Sequence, residues 1–256
     1  MDYELELNKF NRLMLAKAFL KNKRVDYVID CVLEGQMGKA FVDDLACPKA
    51  YRITTGPFWY FAGIARSPGG YRMIEDFPAY QLLMPSPAEW LEIAWEVHPQ
   101  LQSFPRYSFS TERLSKDHLE SIMWKSKYKD QVVPLDVELV TKLTERPESY
   151  LEIADYKGVE DFITRGMGFA VMDGDEILGA AYSSLVCSKG IEVSIYVEEK
   201  YRRQGVARAL GSRLLLECLR RNLRPNWDAA NPESCRLALK LGYVFTEFYE
   251  AYFYTT

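Results

Sequence analysis

The sequence predicts an α/β (α+β) chain. It has a mixed central sheet flanked by helices in residues 106–256, preceded by a smaller α/β domain in residues 1–105. Three observations predict this. The second half alternates strand-like and helical runs, and one strand leads through a glycine turn into a long amphipathic helix. The first half repeats the mixture in shorter pieces cut by Gly and Pro turns. At 256 residues the chain suits one large domain or two small ones, at roughly 150 residues per domain.

The elements follow in order. Apolar Leu5, Leu7, Phe10, Leu13, Met14, Ala18 and Leu20 keep near-helical spacing, so Leu5–Leu20 reads as an amphipathic helix. Tyr27–Leu33, Lys39–Val42, Tyr51–Thr54 and Phe58–Ile64 read as short strands between turn signals such as Gly35, Asp43-Asp44 and Gly56-Pro57. Pro85-Ser86-Pro87 introduces a short buried helix, Ala88–Val97. Pro99–Lys129 has little periodicity, and the domain boundary is set near residue 105. Leu135–Leu143 and Tyr150–Ile163 read as helices. Phe169–Met172 and Ile177–Val186 read as strands joined by the tight turn Asp173-Gly174. Ile191–Val197 alternates apolar Ile191, Val193, Ile195 and Val197 with Glu192, Ser194 and Tyr196. Gln204–Asn222 carries a helical stripe from Val206 through Leu219. A strand at Asn226–Ala230, a helix at Pro232–Leu241 and a strand from Tyr243 complete the chain. That helix has Asn231 as its cap, Pro232 at its first position and Gly242 as its stop.

Composition narrows the function. The chain is 48% hydrophobic and 27% charged, ordinary for a folded globular protein. Its net charge of −4 argues against a generic nucleic-acid binder. The five cysteines lack C-x-x-C spacing and read as reduced, buried thiols, which suits the cytoplasm. The acidic opening MDYELELNKF is unlike a signal peptide. The longest apolar run, Phe58–Ala65, is far short of the about twenty residues a membrane span takes. His98 and His118 have no metal-ligand partner at useful spacing, so no metal is expected; His98 reads as a capping or surface residue. Phe58-Trp59-Tyr60-Phe61 reads as core strand.

The chemistry concentrates between Ile191 and Tyr243. After Val197 comes Glu-Glu-Lys-Tyr-Arg202-Arg203-Gln204-Gly205-Val206-Ala207-Arg208, then a helix. The first amides of a helix lack intrahelical partners and its dipole favours an anion. Gly205 permits close backbone approach, and three arginines add positive charge, so the turn suits a pyrophosphate. In isolation the same turn reads first as a plain bend with solvated arginines.

The turn is not isolated. Val197-x-x-x-Tyr201-Arg202-x-x-Gly205-x-Ala207 resembles the acetyl-CoA-binding motif of the GNAT superfamily of N-acetyltransferases. Twenty-four positions after Ala207, Asn231-Pro-Glu-Ser234 through Leu241-Gly242-Tyr243 resembles that family's later strand–helix element. Leu223–Asn231, with Gly38–Asp44, is also similar to the subgroup that includes zwittermicin-A-resistance acetyltransferases.

The resemblance implies a GNAT-like sheet with two splayed parallel strands, here Ile191–Val197 and Asn226–Ala230. It implies acetyl-CoA as acyl donor, with its pantetheine arm along the backbone of Ile195, Tyr196 and Val197. The pyrophosphate would lie on the turn Arg202, Arg203, Gln204, Gly205, Val206, Ala207 and Arg208. Asn231 would reach the pantetheine, with Ser234 assisting, while Asn231 also serves as a plain helix cap. Direct transfer to a small-molecule amine in a ternary complex is the leading expectation. The alternatives are a protein or peptide acceptor and an acyl-CoA-binding module without catalysis.

Glu192 is the candidate general base, with an exposed strand carboxylate as the alternative. Asp228 is a minor candidate beside a structural role, and Trp227 reads as core. The tyrosine that many members carry four residues before the helix-ending glycine is Ala238 here. Tyr196, Tyr243 or water are the possible substitutes. The first half has no such cofactor turn. Its Gly38–Asp43 echoes Gly168–Asp173, each followed by an Ala-Tyr pair (Ala50-Tyr51, Ala181-Tyr182), which raises the alternative that it is a degenerate copy of the second half.

Overall fold

The structure, a computed structural model, describes residues 2–22, 27–84, 87–145 and 151–255. By contact the chain forms two compact units, Met1–Arg106 with Tyr249–Thr256, and Tyr107–Phe248.

The first unit runs β1 (Tyr3–Glu4), α1 (Lys9–Ala18), α2 (Tyr27–Leu33), β2 (Lys39–Val42), β3 (Ala50–Thr55), β4 (Phe58–Gly63), α3 (Pro68–Glu75), β5 (Leu82–Leu83) and α4 (Ala88–Val97). The chain continues through β6 (Gln102–Ser110), α5 (Lys116–Trp124), β7 (Val132–Pro134), α6 (Val137–Thr144), α7 (Val159–Arg165), β8 (Gly168–Asp173), β9 (Glu176–Val186), β10 (Gly190–Val197), α8 (Val206–Arg220), β11 (Arg224–Ala229), α9 (Pro232–Leu241) and β12 (Val244–Phe253). The fold is mixed α/β, as the sequence predicts.

Several elements differ from expectation. Tyr27–Leu33 is a helix, not a strand. Tyr27, Val28, Ile29, Cys31 and Val32 are all buried, so packing on several sides overrides the β preference of its branched residues. The first helix starts at Lys9, where the Asn8 side chain accepts the Asn11 amide; Leu5 and Leu7 precede it. The weakly periodic Pro99–Lys129 contains β6 and α5. In the expected helix Tyr150–Ile163 only the part from Val159 is helical, and Tyr150 lies outside the described residues, as do Pro85 and Ser86. The cysteines are free, but Cys47 is exposed rather than buried. His98 caps α4 and is buried: its Nε2 lies 2.7 Å from the Ile74 carbonyl oxygen and its ring stacks on Tyr254. Tyr60 and Phe61 are core, and Phe61 stacks on Trp90 at 5.1 Å.

The two units have the same sheet order. In the first it is β1-β2-β3-β4-β5-β12, antiparallel except for the parallel pair β4–β5. In the second it is β7-β8-β9-β10-β11-β6, again antiparallel except for the parallel pair β10–β11. The closing strand is exchanged. Tyr252, from the end of the chain, pairs with Leu83, and Phe109, from the end of the first half, pairs with Trp227. Helices follow corresponding strands in both, α3 after β4 and α8 after β10. The structure therefore carries one architecture twice. The echo Gly38–Asp43 with Gly168–Asp173 falls on corresponding strands. The Ala-Tyr pairs also fall on corresponding strands, β3 and β9, but at different register positions, since Tyr51 pairs with Val42 at the end of β2 whereas Tyr182 pairs with Gly168 at the start of β8.

Helix α8 is anchored by a charge cluster at its far end. The Arg220 and Arg221 guanidiniums bond the Glu217 carboxylate at 2.6 and 2.8 Å, with Arg213 at 3.6 Å. Arg220 first, and then Arg221, hold the Glu217 pKa at about 2 against the opposing effect of burial. Beside it a cavity of about 200 Å³ is lined by Leu135, Phe162, Phe169, Arg213, Glu217 and Arg221.

Because the folded pKa is depressed, the stabilisation is complete above the unfolded value and is lost as pH falls toward 2. Glu217→Gln is expected to cost about 1–2 kcal/mol at pH 7, the exposed arginines screening part of the interaction. Urea midpoints of wild type and variant should converge between pH 4.5 and pH 2. A difference independent of pH would contradict this assignment.

Candidate functional site

The site begins where two parallel strands part. β10 and β11 pair through three rungs only, Gly190↔Arg224, Ile191↔Pro225 and Glu192↔Asn226. Beyond them β10 pairs only with β9, as far as Val197↔Gly179, while Trp227–Ala229 pair with β6. A β-bulge marks the fork. The β9 partner jumps from Leu185 to Ser183 between Glu192 and Val193, leaving Ser184 as the extra residue. The extra residue is on β9, and the local twist a bulge adds falls at the rung where β10 leaves β11. The Ser184 hydroxyl donates to the Glu192 carbonyl at 3.4 Å.

At the last shared rung the side chains meet. Asn226 Nδ2 donates to Glu192 Oε2 at 2.6 Å. Glu192 is half-buried rather than a freely exposed strand carboxylate. Sequence reasoning missed Asn226. The signal was faint: two polar residues on neighbouring strands, whose register only the fold reveals. On the other side of β10, Tyr182 shares a side-chain hydrogen bond with Ser194 and accepts the Glu152 amide at 2.8 Å. Burial pushes its phenol up to about 12.

Ile195, Tyr196 and Val197 lie in the part of β10 that has left β11 and pairs with β9. The chain then turns through Glu199–Tyr201, a 3-10 turn tied down by Tyr201 Oη donating to Glu176 Oε2 at 2.7 Å and by the Lys200–Glu176 ion pair. Arg202 Nε donates to the Val197 carbonyl at 3.3 Å. Arg203 has φ +62° and Gly205 has φ +96°. Such left-handed positions turn successive amides toward one side and make a concave anion nest. A Cβ at Gly205 would touch nothing within 4 Å, so the glycine is needed for its φ and not for space. Among the described residues the amides of Arg203, Gln204, Gly205, Val206, Ala207 and Arg208 have no acceptor. Arg203 and Arg208 have no acidic partner among them either. The helix dipole of the fifteen-residue α8 points its positive end at the same place.

The second wall is α9. Asn231 caps it, its Oδ1 accepting the Ser234 amide at 2.8 Å, and its exposed amide nitrogen has no partner among the described residues. Ser234 has a structural duty: its Oγ accepts the Trp227 indole N–H at 3.1 Å. Trp227 is buried core, as expected. Asp228 sits on β11 opposite Ser108. Gly211 in α8 lets α9 approach, since a Cβ there would stand 2.8 Å from Leu241 Cδ1.

Ala238 is wholly buried in a cluster with Leu119, Leu215, Trp227, Leu241 and Tyr243. Tyr243 is only 3% exposed and its hydroxyl donates to the Pro225 carbonyl at 3.0 Å, so its proton is already engaged. Tyr196 remains half-buried on β10.

The corresponding place in the first unit is filled by its own chain. β4 and β5 also part after two rungs, but Tyr60, Phe61 and Ala62 beyond the fork are buried, under Trp90 in the case of Phe61. The first turn of α3 is capped by Ser67. A Cβ on Gly69 would lie 2.2 Å from Asp43 Oδ2, so a carboxylate already sits there. Arg66 is bound by Glu92 and Glu96. Among the described residues no group of His, Cys, Asp and Glu is arranged to hold a metal ion, and no helix is long and apolar enough to cross a membrane.

The comparisons agree with this geometry. The GNAT acetyltransferase family matches residues 17–252. An uncharacterized N-acetyltransferase, YdfB, of Bacillus subtilis (strain 168) is 29% identical over 121 residues, and the match spans 46% of each chain, so this chain aligns with less than half of that relative. A GCN5-related N-acetyltransferase-like protein from Streptococcus suis 89/1591 is similar over 95% of this chain and 98% of its own, with 27% identity and a TM-score of 0.83. A tandem GNAT protein from the clavulanic acid biosynthesis pathway shares the fold at 11% identity and a TM-score of 0.52, covering 98% of this chain and 97% of its own.

Removing the Tyr243 hydroxyl separates packing from chemistry. Tyr243→Phe is expected to lower stability by about 1–2 kcal/mol through the unpaired Pro225 carbonyl, without changing ligand binding at the β10–β11 fork. Thermal melts with and without ligand check it. Unchanged stability with lost activity would reinstate Tyr243 as a proton donor.

Proposed function

Because the chain belongs to the GNAT acetyltransferase family, and is therefore an acyltransferase, we propose that it moves the acetyl group of acetyl-CoA to the amine of a small molecule, both bound together. The observation that carries this reading is the set of six acceptor-free amides, Arg203 to Arg208, beside a strand edge left open by the β10–β11 fork. The likeness of Leu223–Asn231 and Gly38–Asp44 to the subgroup with zwittermicin-A-resistance acetyltransferases supports a small-molecule acceptor. In this reading residues 1–105 form a domain without its own cofactor turn and residues 106–256 carry the reaction.

When bound, acetyl-CoA supplies an acyl group activated as a thioester. The chain does the rest. The amides from Arg203 to Arg208, with the Arg202 and Arg203 side chains, neutralise the pyrophosphate at the start of α8. The backbone of Ile195, Tyr196 and Val197, beyond the last β10–β11 rung, holds the pantetheine as a further strand would. A backbone N–H there faces the charge that develops on the acyl oxygen. The free amide nitrogen of Asn231 reaches the pantetheine while its oxygen caps α9, and Ser234 keeps Trp227 in place behind it. These contacts align the donor with the acceptor, and alignment supplies much of the rate.

An ordinary amine with a pKa of about 10.4 is neutral in only about one molecule in 2,500 at pH 7. The acceptor must lose a proton, and Glu192, fixed by Asn226 at the base of the fork, is the base, directly or through water. Tyr196 or water returns a proton to the leaving thiolate. Ala238, where many family members have tyrosine, favours one second reading, an acyl-CoA-binding module without turnover.

Two experiments test this. Acetyl-CoA at about 100 times its dissociation constant is expected to stabilise the wild type by about 2.7 kcal/mol, a rise of roughly 5–10 °C in Tm. Gly205→Glu, which adds a carboxylate at the amides, should abolish the rise; a rise that survives in the variant would overturn the site. Glu192→Gln keeps an acceptor for Asn226, so kcat should fall about 100-fold with acetyl-CoA affinity unchanged. An unchanged kcat would remove Glu192 as the base, and a wild type that binds but never turns over would favour the binding module.

A further inference from the structure

An exposed aromatic and three lysines lie outside everything assigned above. Trp124, the last residue of α5, is 77% exposed. The ammonium of Lys129 lies 4.5 Å from its ring centroid, on the ring face, and that of Lys127 lies 4.8 Å from the ring of Tyr128. Lys125, Lys127 and Lys129 are exposed and have no carboxylate partner among the described residues.

The topology brings this segment to the start of α8. At its beginning α5 is tied to the end of α9, with His118 Nε2 2.9 Å from the Lys240 carbonyl oxygen. That end of the unit is where β11 begins, because Tyr243, just after α9, donates to Pro225. From there α5 packs against α8, its Leu119 in one core cluster with Leu215. After Lys129 the chain enters β7 at the other end. The Gln131 carbonyl accepts the Met172 amide, and Val132 pairs with Val171. Met172 adjoins the hairpin whose Glu176 holds Lys200 and Tyr201, the residues immediately ahead of Arg202. Residues 124–131 thus pass from α5 to the loop cluster that presents the free amides.

We propose that Trp124, Lys125, Lys127 and Lys129 form the subsite for the adenosine 3′-phosphate end of the acyl-CoA donor. This rests on the reading that the amides of Arg203–Arg208 hold its pyrophosphate. An adenine has two apolar faces and stacks on an exposed indole; the 3′-phosphate is a dianion needing compact cations. The nest and its arginines suffice for the pyrophosphate, and the lysines beside Trp124 supply compact cations for the 3′-phosphate. In the first unit Asp43 meets the start of α3, and Arg66 is bound by Glu92 and Glu96.

The test is equilibrium binding of CoA and of 3′-dephospho-CoA by titration calorimetry, with tryptophan fluorescence as a second readout. The wild type should prefer CoA about tenfold. The triple variant Lys125→Ala, Lys127→Ala, Lys129→Ala should lose that preference while binding dephospho-CoA as before. Trp124→Ala should weaken both ligands about tenfold and keep the ratio; Trp124→Phe should restore most of the loss. Since all four side chains are on the surface, the variants should melt with the wild type. If the wild type binds CoA, Gly205→Glu does not, and the Trp124 and lysine variants bind like wild type, this subsite is wrong and the pyrophosphate reading stands. If the wild type binds neither ligand, both fail.

Discussion

Everything in the second unit depends on two parallel strands that pair for three rungs and then separate. Paired strands satisfy each other's backbone; separated ones expose groups that must find another partner or water. The structure sets the point of separation with two devices. The bulge at Ser184 of β9 falls at the fork, and the Glu192–Asn226 hydrogen bond at 2.6 Å closes the last rung. The same rung therefore ends the sheet pairing and places a carboxylate at the apex of the gap. Below it, Tyr243, Trp227 and Ala238 form a dry support; above it, the chain offers the nest at Arg203–Gly205.

The first unit shows that the fork alone is not a site. It has the same strand order and the same parallel pair, yet its gap is packed with Tyr60, Phe61 and Trp90, and its helix start is met by Asp43. The difference is electrostatic as well as steric. In the second unit the amides face open space with arginines beside them; in the first, Arg66 is consumed by Glu92 and Glu96. One architecture occurs once with an open fork and acceptor-free amides and once with a filled core. The exchanged closing strands, Tyr252 beside Leu83 and Phe109 beside Trp227, mean that each unit's sheet is completed by the other half of the chain.

How much of this the sequence reveals depends on range. The cap Asn231, the stop Gly242 and the glycine of the α8 turn are local requirements of backbone conformation, and they are legible residue by residue. Helix α2 was not legible, because Val28, Ile29 and Val32 favour strands locally and only burial on several sides makes them helical. Helix α5 was missed because its single fully buried residue, Leu119, leaves no periodic stripe to detect. The Glu192–Asn226 contact joins residues 34 positions apart and exists only in the parallel register. Ser234 shows the opposite case: a motif residue whose oxygen is committed to the Trp227 indole and so supports the site from behind.

The central claim is that the acceptor-free amides at the head of α8 and the open edge of β10 bind one ligand together. Amide hydrogen exchange with and without acetyl-CoA addresses it most directly, because those N–H groups have no acceptor to slow them. Rapid exchange is expected at Arg203–Arg208 in the free protein, and protection there and along Ile195–Val197 when acetyl-CoA saturates. Saturating acetyl-CoA that leaves both segments exchanging as before, with protection elsewhere, would contradict it.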